Sequence, residues 1–160
     1  MSTNWNKTAL LGRLFISLSA LLTAAYPLIG DWNERHTFSP SWPAHAQFHG
    51  AAEIISAVLL AVTILWLLWR PAQGDAKLSL FIAALLPLIK WVPFYFAAFI
   101  PGTSPINPPH QMFATLGGIP VNQSYPIILA VAGYVLTARR SSRVVVSKYS
   151  PTDIKFENLR

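Results

Sequence analysis

Apolar and polar positions along this chain fall into long blocks and do not alternate. Four apolar runs, at 8–30, 50–69, 78–100 and 119–138, are separated by short segments that hold most of the charge. Each run is close to the ~20 residues a helix needs to cross the hydrocarbon core of a bilayer. Arg13 interrupts the first run near its start, where a long side chain can snorkel to the interface. Arg70-Pro71 closes the second run, Pro101-Gly102 the third and Arg139-Arg140 the fourth. The pattern predicts an all-α bundle of four transmembrane helices over residues 1–140, followed by a basic tail at 141–160. Lys7 and Arg13 ahead of an apolar stretch containing Thr23-Ala24-Ala25 have the outline of a signal peptide. The length of that run, and the three runs after it, favour an uncleaved first span.

Composition supports the membrane reading. Only 11% of the 160 residues are charged, against about a quarter in an ordinary globular protein. There is room for a single domain. The absence of cysteine excludes thiolate metal sites, a thiol nucleophile and thiol–disulfide chemistry. Six basic and two acidic residues of the +6 chain lie between Arg139 and Arg160. Such a tail on a nearly neutral body is a topology signal, so no nucleic-acid partner is expected.

Lysine and arginine in short loops set orientation. They flank the first run at Lys7 and Arg13, occupy the second loop at Arg70 and Lys77, and fill the tail. The first loop has Arg35 offset by Asp31 and Glu34, and the third has no charged residue beyond His110. Both termini are therefore expected in the cytoplasm. All four histidines, His36, His45, His49 and His110, then lie at the non-cytoplasmic end.

The stretch 31–53, DWNERHTFSPSWPAHAQFHGAAE, concentrates the candidate chemistry, with three of the four histidines and three of the six acidic residues. Pro43 suits the first turn of a helix, where its missing N–H costs nothing. A helix starting there places His45, His49 and Glu53 on one stripe, drifting by ~40° per step at 3.6 residues per turn. As metal ligands, two imidazoles and a carboxylate on successive turns supply three donors, with His110 or His36 as a fourth, and zinc, copper or iron all suit such a set. As a metal-free site, His49 beside Glu53 moves protons near neutral pH. The third reading is an interfacial helix start whose histidines bond loop carbonyls. The histidine spacing matches the helical part of a zinc-protease motif, but Ala46 stands where that motif has its glutamate.

Lys90 lies mid-run in the third segment, between Pro87 and Pro93, both of which predict kinks. At 1.5 Å per residue Glu53 stands ~24 Å and Lys90 ~18 Å above the cytoplasmic end of its helix, a difference a lysine side chain spans. The pair reads either as a structural ion pair or as the charged floor of a site, and ionisable groups inside a membrane are costly. Asn122, Gln123, Ser124 and Tyr125 open the fourth run with a polar cluster. Together these residues predict a polar pocket open towards the histidine end. Trp32, Phe38, Trp42, Phe48, Trp91, Phe94, Tyr95, Phe96, Phe99 and Phe113 gather at that end, as an interfacial belt or as the lining of a lipophilic pocket. No Gly-rich phosphate loop and no G-x-S-x-G elbow is present.

Through Asp31-Trp32-Asn33, His36, Phe38, Pro40, Trp42-Pro43, His45 and Phe48-His49, the chain resembles a group of small, uncharacterised four-helix membrane proteins. More distantly, its layout is similar to the emopamil-binding and sterol-isomerase superfamily, where a histidine and acidic residues in a membrane cavity move protons on a lipophilic substrate. That resemblance implies His49 and Glu53 in those roles; the third helix departs from the pattern, with Lys90 in place of an acidic residue.

The function expected is a membrane-embedded enzyme that isomerises or cyclises a small lipophilic substrate. His49, Glu53 and Lys90 would be catalytic. Trp42, Trp91, Asn122 and Tyr125 would contact the substrate, and His45, His49, Glu53 and His110 would bind any metal. The alternative is a non-catalytic metal- or ligand-binding membrane protein, a carrier or an accessory subunit. Membrane lipid and a small lipophilic molecule are the expected partners, and a homo-oligomer is left open.

Overall fold

A computed structural model describes residues 7–71, 75–105, 115–116 and 119–148; at 115–116, 119–120 and 139–148 it describes the backbone alone. Helices α1 (Lys7–Gly30), α2 (Ala44–Trp69), α3 (Ala76–Ala97) and α4 (Ser124–Lys148) run alternately up and down, and a two-residue hairpin pairs Thr115–Leu116 with Ile119–Pro120. α1 and α3 each pack against both α2 and α4 and meet across the diagonal of the bundle. The first three helices are long and apolar enough to cross a membrane, whereas the apolar part of α4, Ser124–Ala138, is shorter.

The bundle buries many small residues beside a few large ones such as Ile16, Ile54 and Ile64, and turns many large apolar side chains outward. Gly12, Ser19, Ala20, Ala57, Ala61, Ala83, Ala84 and Ala130 are buried. Leu59, Ile89 and Ile128 turn 61%, 57% and 59% of their surface outward. Water would penalise that arrangement, but lipid tails do not, and small residues let helix backbones approach. The closest approach joins α1 to α4. A Cβ built on Gly12 would lie 2.5 Å from the Gly133 carbonyl oxygen, and one on Gly133 equally close to the Gly12 oxygen. A little further along, the Ser19 hydroxyl donates to the Pro126 carbonyl at 2.6 Å.

The end of the bundle where α2 gives way to α3 is apolar inside. Ile16, Ile64, Leu68, Leu80 and Ala83 form its packed layer, and the Arg13 guanidinium donates to the Leu68 carbonyl at its edge. At the opposite end the loop between α1 and α2 is held by its own polar groups. The Asn33 side chain donates to the Gly30 carbonyl at 2.8 Å, closing α1, and accepts from the Arg35 N–H at 2.8 Å. The Asp31 carbonyl accepts from the Asn33 and Thr37 N–H groups. Trp32 meets Phe38 edge-on at 5.0 Å. Buried Thr37 lies against Gly50, where an added Cβ would approach its side chain to 3.2 Å. Much of the Asp31–Asn33, Phe38 and Pro43 block thus has a direct structural use in folding the loop onto α2.

α3 continues through both Pro87 and Pro93, as the run over 78–100 predicts. Two boundaries, both of α4, differ from the sequence expectation. α4 begins at Ser124 and not at residue 119, because Ile119-Pro120 is spent in the hairpin and Val121–Ser124 forms a turn. It also runs past Arg140 to Lys148, into the segment expected to be a separate tail.

Candidate functional site

The site forms at the α1–α2 end, where three helices deliver charged groups to one place. α2 begins at Ala44 with Pro43 as its extended N-cap residue, which puts His45, His49 and Glu53 on successive turns as expected. Glu53 forms an ion pair with Lys90 of α3. The lysine side chain is 9% exposed and the glutamate 45%, so the ammonium lies inside the bundle and the carboxylate at its margin. An ammonium taken out of water into a bundle interior costs several kcal/mol unless a partner is supplied. Glu53 supplies it.

Asp31 enlarges the pair to a charge cluster. It stands directly after α1, with its backbone N–H still bonded to the Pro27 carbonyl at 2.9 Å. Its carboxylate is 3.8 Å from His36 Nε2. Burial pushes the Asp31 carboxyl above the ordinary carboxylate range, while His36 and then Lys90 pull it back down. His36, Asp31, Lys90 and Glu53 therefore alternate in sign when His36 is protonated. Asp31 has a place in this cluster that sequence reasoning did not assign. The available signal was its position as the first residue beyond the apolar run, at the same end as the histidines.

Aromatic rings enclose the lysine. Its Nζ is 5.5 Å from the Trp91 ring centroid and 5.9 Å from that of Phe94, within cation–π range. Trp91 is buried, its indole N–H donating to Thr23 Oγ1 at 3.0 Å. Thr23 in turn donates to the Ser19 carbonyl at 2.9 Å. Tyr26 meets Trp91 edge-on at 6.0 Å. Thr23 and Tyr26, neither assigned from sequence, thus fix one wall of the site.

The remaining predicted residues fall into separate groups. His45 and His49 pair with each other, Nε2 to Nε2 at 3.0 Å, with both rings exposed. Trp42 lies in the loop against His36, centroids 4.9 Å apart. Asn122 is buried with its Oδ1 unpartnered, and Gln123 Oε1 is also buried without a partner. Tyr125 is exposed, while the neighbouring Ser124 hydroxyl shares a 2.6 Å hydrogen bond with Tyr95 of α3. His110 and Phe113 lie outside the described residues. Among the described residues no three His, Cys, Asp or Glu side chains converge as a metal-binding group.

Chemically, the cluster offers a carboxylate at the bundle margin, an ammonium beside it, and a coupled imidazole pair one turn away. Those groups can accept, donate and electrostatically steady a proton in transit. Residues 15–145 match a family described as "Family of unknown function (DUF6640)". No curated protein and no solved structure matches the chain.

Proposed function

The chain belongs to the DUF6640 family, and from that premise we propose that it is an integral membrane enzyme moving protons on a small lipophilic substrate. Isomerisation or cyclisation is the reaction class that suits so few polar groups. The observation that carries this reading is the Lys90–Glu53 ion pair, with its ammonium inside a bundle whose outer surface is apolar. Ionisable side chains in such a setting are expensive and mark working sites by default.

In this reading Glu53 and His49, one helical turn apart, exchange the proton with the substrate. Lys90 steadies negative charge as it develops. The 3.0 Å contact with His45 orients His49. Trp91 and Phe94 supply an apolar wall, with Trp42 and Tyr125 at the entrance, and the free Oδ1 of Asn122 accepts a hydrogen bond from a substrate hydroxyl or amine. Basic residues at Lys7, Arg13, Arg70 and Lys77 put the opposite end of the bundle in the cytoplasm, so the site faces the non-cytoplasmic side. A carrier would need a polar path to the cytoplasmic end. The Ile16, Ile64, Leu68 and Leu80 packing at that end favours a site closed from below.

The test uses proton exchange itself. Lipophilic alkenes, ketones and prenyl compounds are incubated with the purified protein in D2O and screened by mass spectrometry for deuterium incorporation. Incorporation that requires Glu53 is expected. Incorporation at equal rates in a folded Glu53→Gln variant would sink the proposal.

A further inference from the structure

His45 and His49 are not explained by the fold. Both rings are exposed, they stand perpendicular with centroids 4.5 Å apart, and their Nε2 atoms face each other at 3.0 Å. No carboxylate pairs with either ring among the described ion pairs: Asp31 lies beside His36, and Glu53 is engaged by Lys90. Phe48 packs edge-on against His49, and both histidine rings remain exposed.

We propose that His45 and His49 form a two-imidazole chelate for a divalent transition metal, exposed at the first turns of α2. Two nitrogen donors 3.0 Å apart, each bonded at ~2.0–2.1 Å, subtend about 91–97° at an ion. That is the cis angle of square-planar or octahedral coordination, the geometry of copper(II) and nickel(II), and narrower than a tetrahedral site requires. Small rotations of the two rings turn their lone pairs from each other towards one shared point. The remaining coordination positions belong to water or an external ligand, since no third histidine or carboxylate joins the group among the described residues. Imidazole donors at the end of the divalent series place copper(II) first, ahead of nickel and zinc.

A chelated ion occupies the lone pair that His49 needs for proton transfer. Resting on the catalytic reading above, the pair thus becomes an inhibitory site, with metal loading stopping turnover. Metal binding itself does not depend on that reading.

The experiment titrates copper(II) into the tag-free, full-length chain in detergent, with binding followed by calorimetry and the bound imidazole nitrogens counted by electron paramagnetic resonance. One equivalent held by two nitrogens is expected, weakened at least tenfold by His45→Ala and equally by His49→Ala. Both residues are exposed, so the fold should survive; His45→Gln and His49→Gln repeat the test with side chains of similar size. Glu53→Gln should bind copper as the wild type does, which separates this site from the catalytic proposal. Absence of binding, binding unaffected by either histidine substitution, loss with only one of them, or loss with Glu53→Gln would each overturn the chelate.

Discussion

Glu53 of α2 and Lys90 of α3 meet as an ion pair, with the ammonium inside the bundle and the carboxylate at its edge. The pair therefore works unequally. Removing Glu53 strands a buried cation, whereas removing Lys90 leaves a carboxylate that water or headgroups can reach. Breaking a buried pair costs ~3–5 kcal/mol when one charge is left uncompensated. Glu53→Gln should sit at the low end of that range because Asp31 still attracts the lysine electrostatically. Lys90→Met should cost less, and the double variant less than the sum. A double-mutant cycle of thermal stability in detergent measures the coupling, and strict additivity would show that the two groups do not interact.

The contact between Gly12 and Gly133 leaves no room for a side chain on either helix. With an added Cβ only 2.5 Å from the facing carbonyl oxygen, Gly133→Ala must push α1 and α4 apart, at ~1–3 kcal/mol for overpacking. Gly30→Ala is the control, because nothing lies within 4 Å of the added atom. A large fall in melting temperature for the first and little change for the second is expected. Equal effects would contradict the close crossing.

Thr23 holds the Trp91 indole in the site wall. Thr23→Val keeps the shape but leaves a buried N–H without its acceptor, which should cost ~1–3 kcal/mol. The same change in a Trp91→Phe background should cost clearly less, since the orphaned donor is gone. Stability measurements on the four proteins decide it.

Asp31 predicts a pH dependence with a definite sign. Burial raises its carboxyl above the ordinary 3.8, outweighing the opposing pull of His36 and Lys90. Between 3.8 and the raised value the folded protein holds a proton that the unfolded chain has lost, so this group favours folding more as pH falls through that window. Its cost is fully present above the window. Asp31→Asn should flatten this component of a melting temperature–pH profile. An unchanged profile would show that Asp31 titrates as an ordinary surface carboxylate.

How far these features were legible in the sequence depends on the distance over which each is determined. Helix spans follow from local apolar runs, and α1 and α2 end where Gly30 and Trp69 close those runs. The Glu53–Lys90 pair was legible because depth along two helices can be counted from a shared end. Asp31 joins it only because the loop folds back, through the Asn33 and Thr37 bonds to its carbonyl, and no spacing encodes that. Thr23 beneath Trp91 and Gly12 beside Gly133 depend on how helices rotate about their axes. In α1, apolar residues face outward as well as inward, so periodicity does not reveal that rotation. The apolar run places the start of α4 too early because Ile119-Pro120 is apolar yet belongs to a hairpin, where composition alone cannot separate strand from helix.

The measurement that bears most directly on the central claim compares deuterium incorporation into a lipophilic substrate by wild type, Glu53→Asp and Glu53→Gln at matched folded concentration. General acid–base groups contribute about 10²–10⁴ in rate. A loss of that order is expected for Glu53→Gln, with partial activity for Glu53→Asp and far-ultraviolet spectra that coincide. Glu53→Gln turning over within twofold of wild type, while folded, would contradict it.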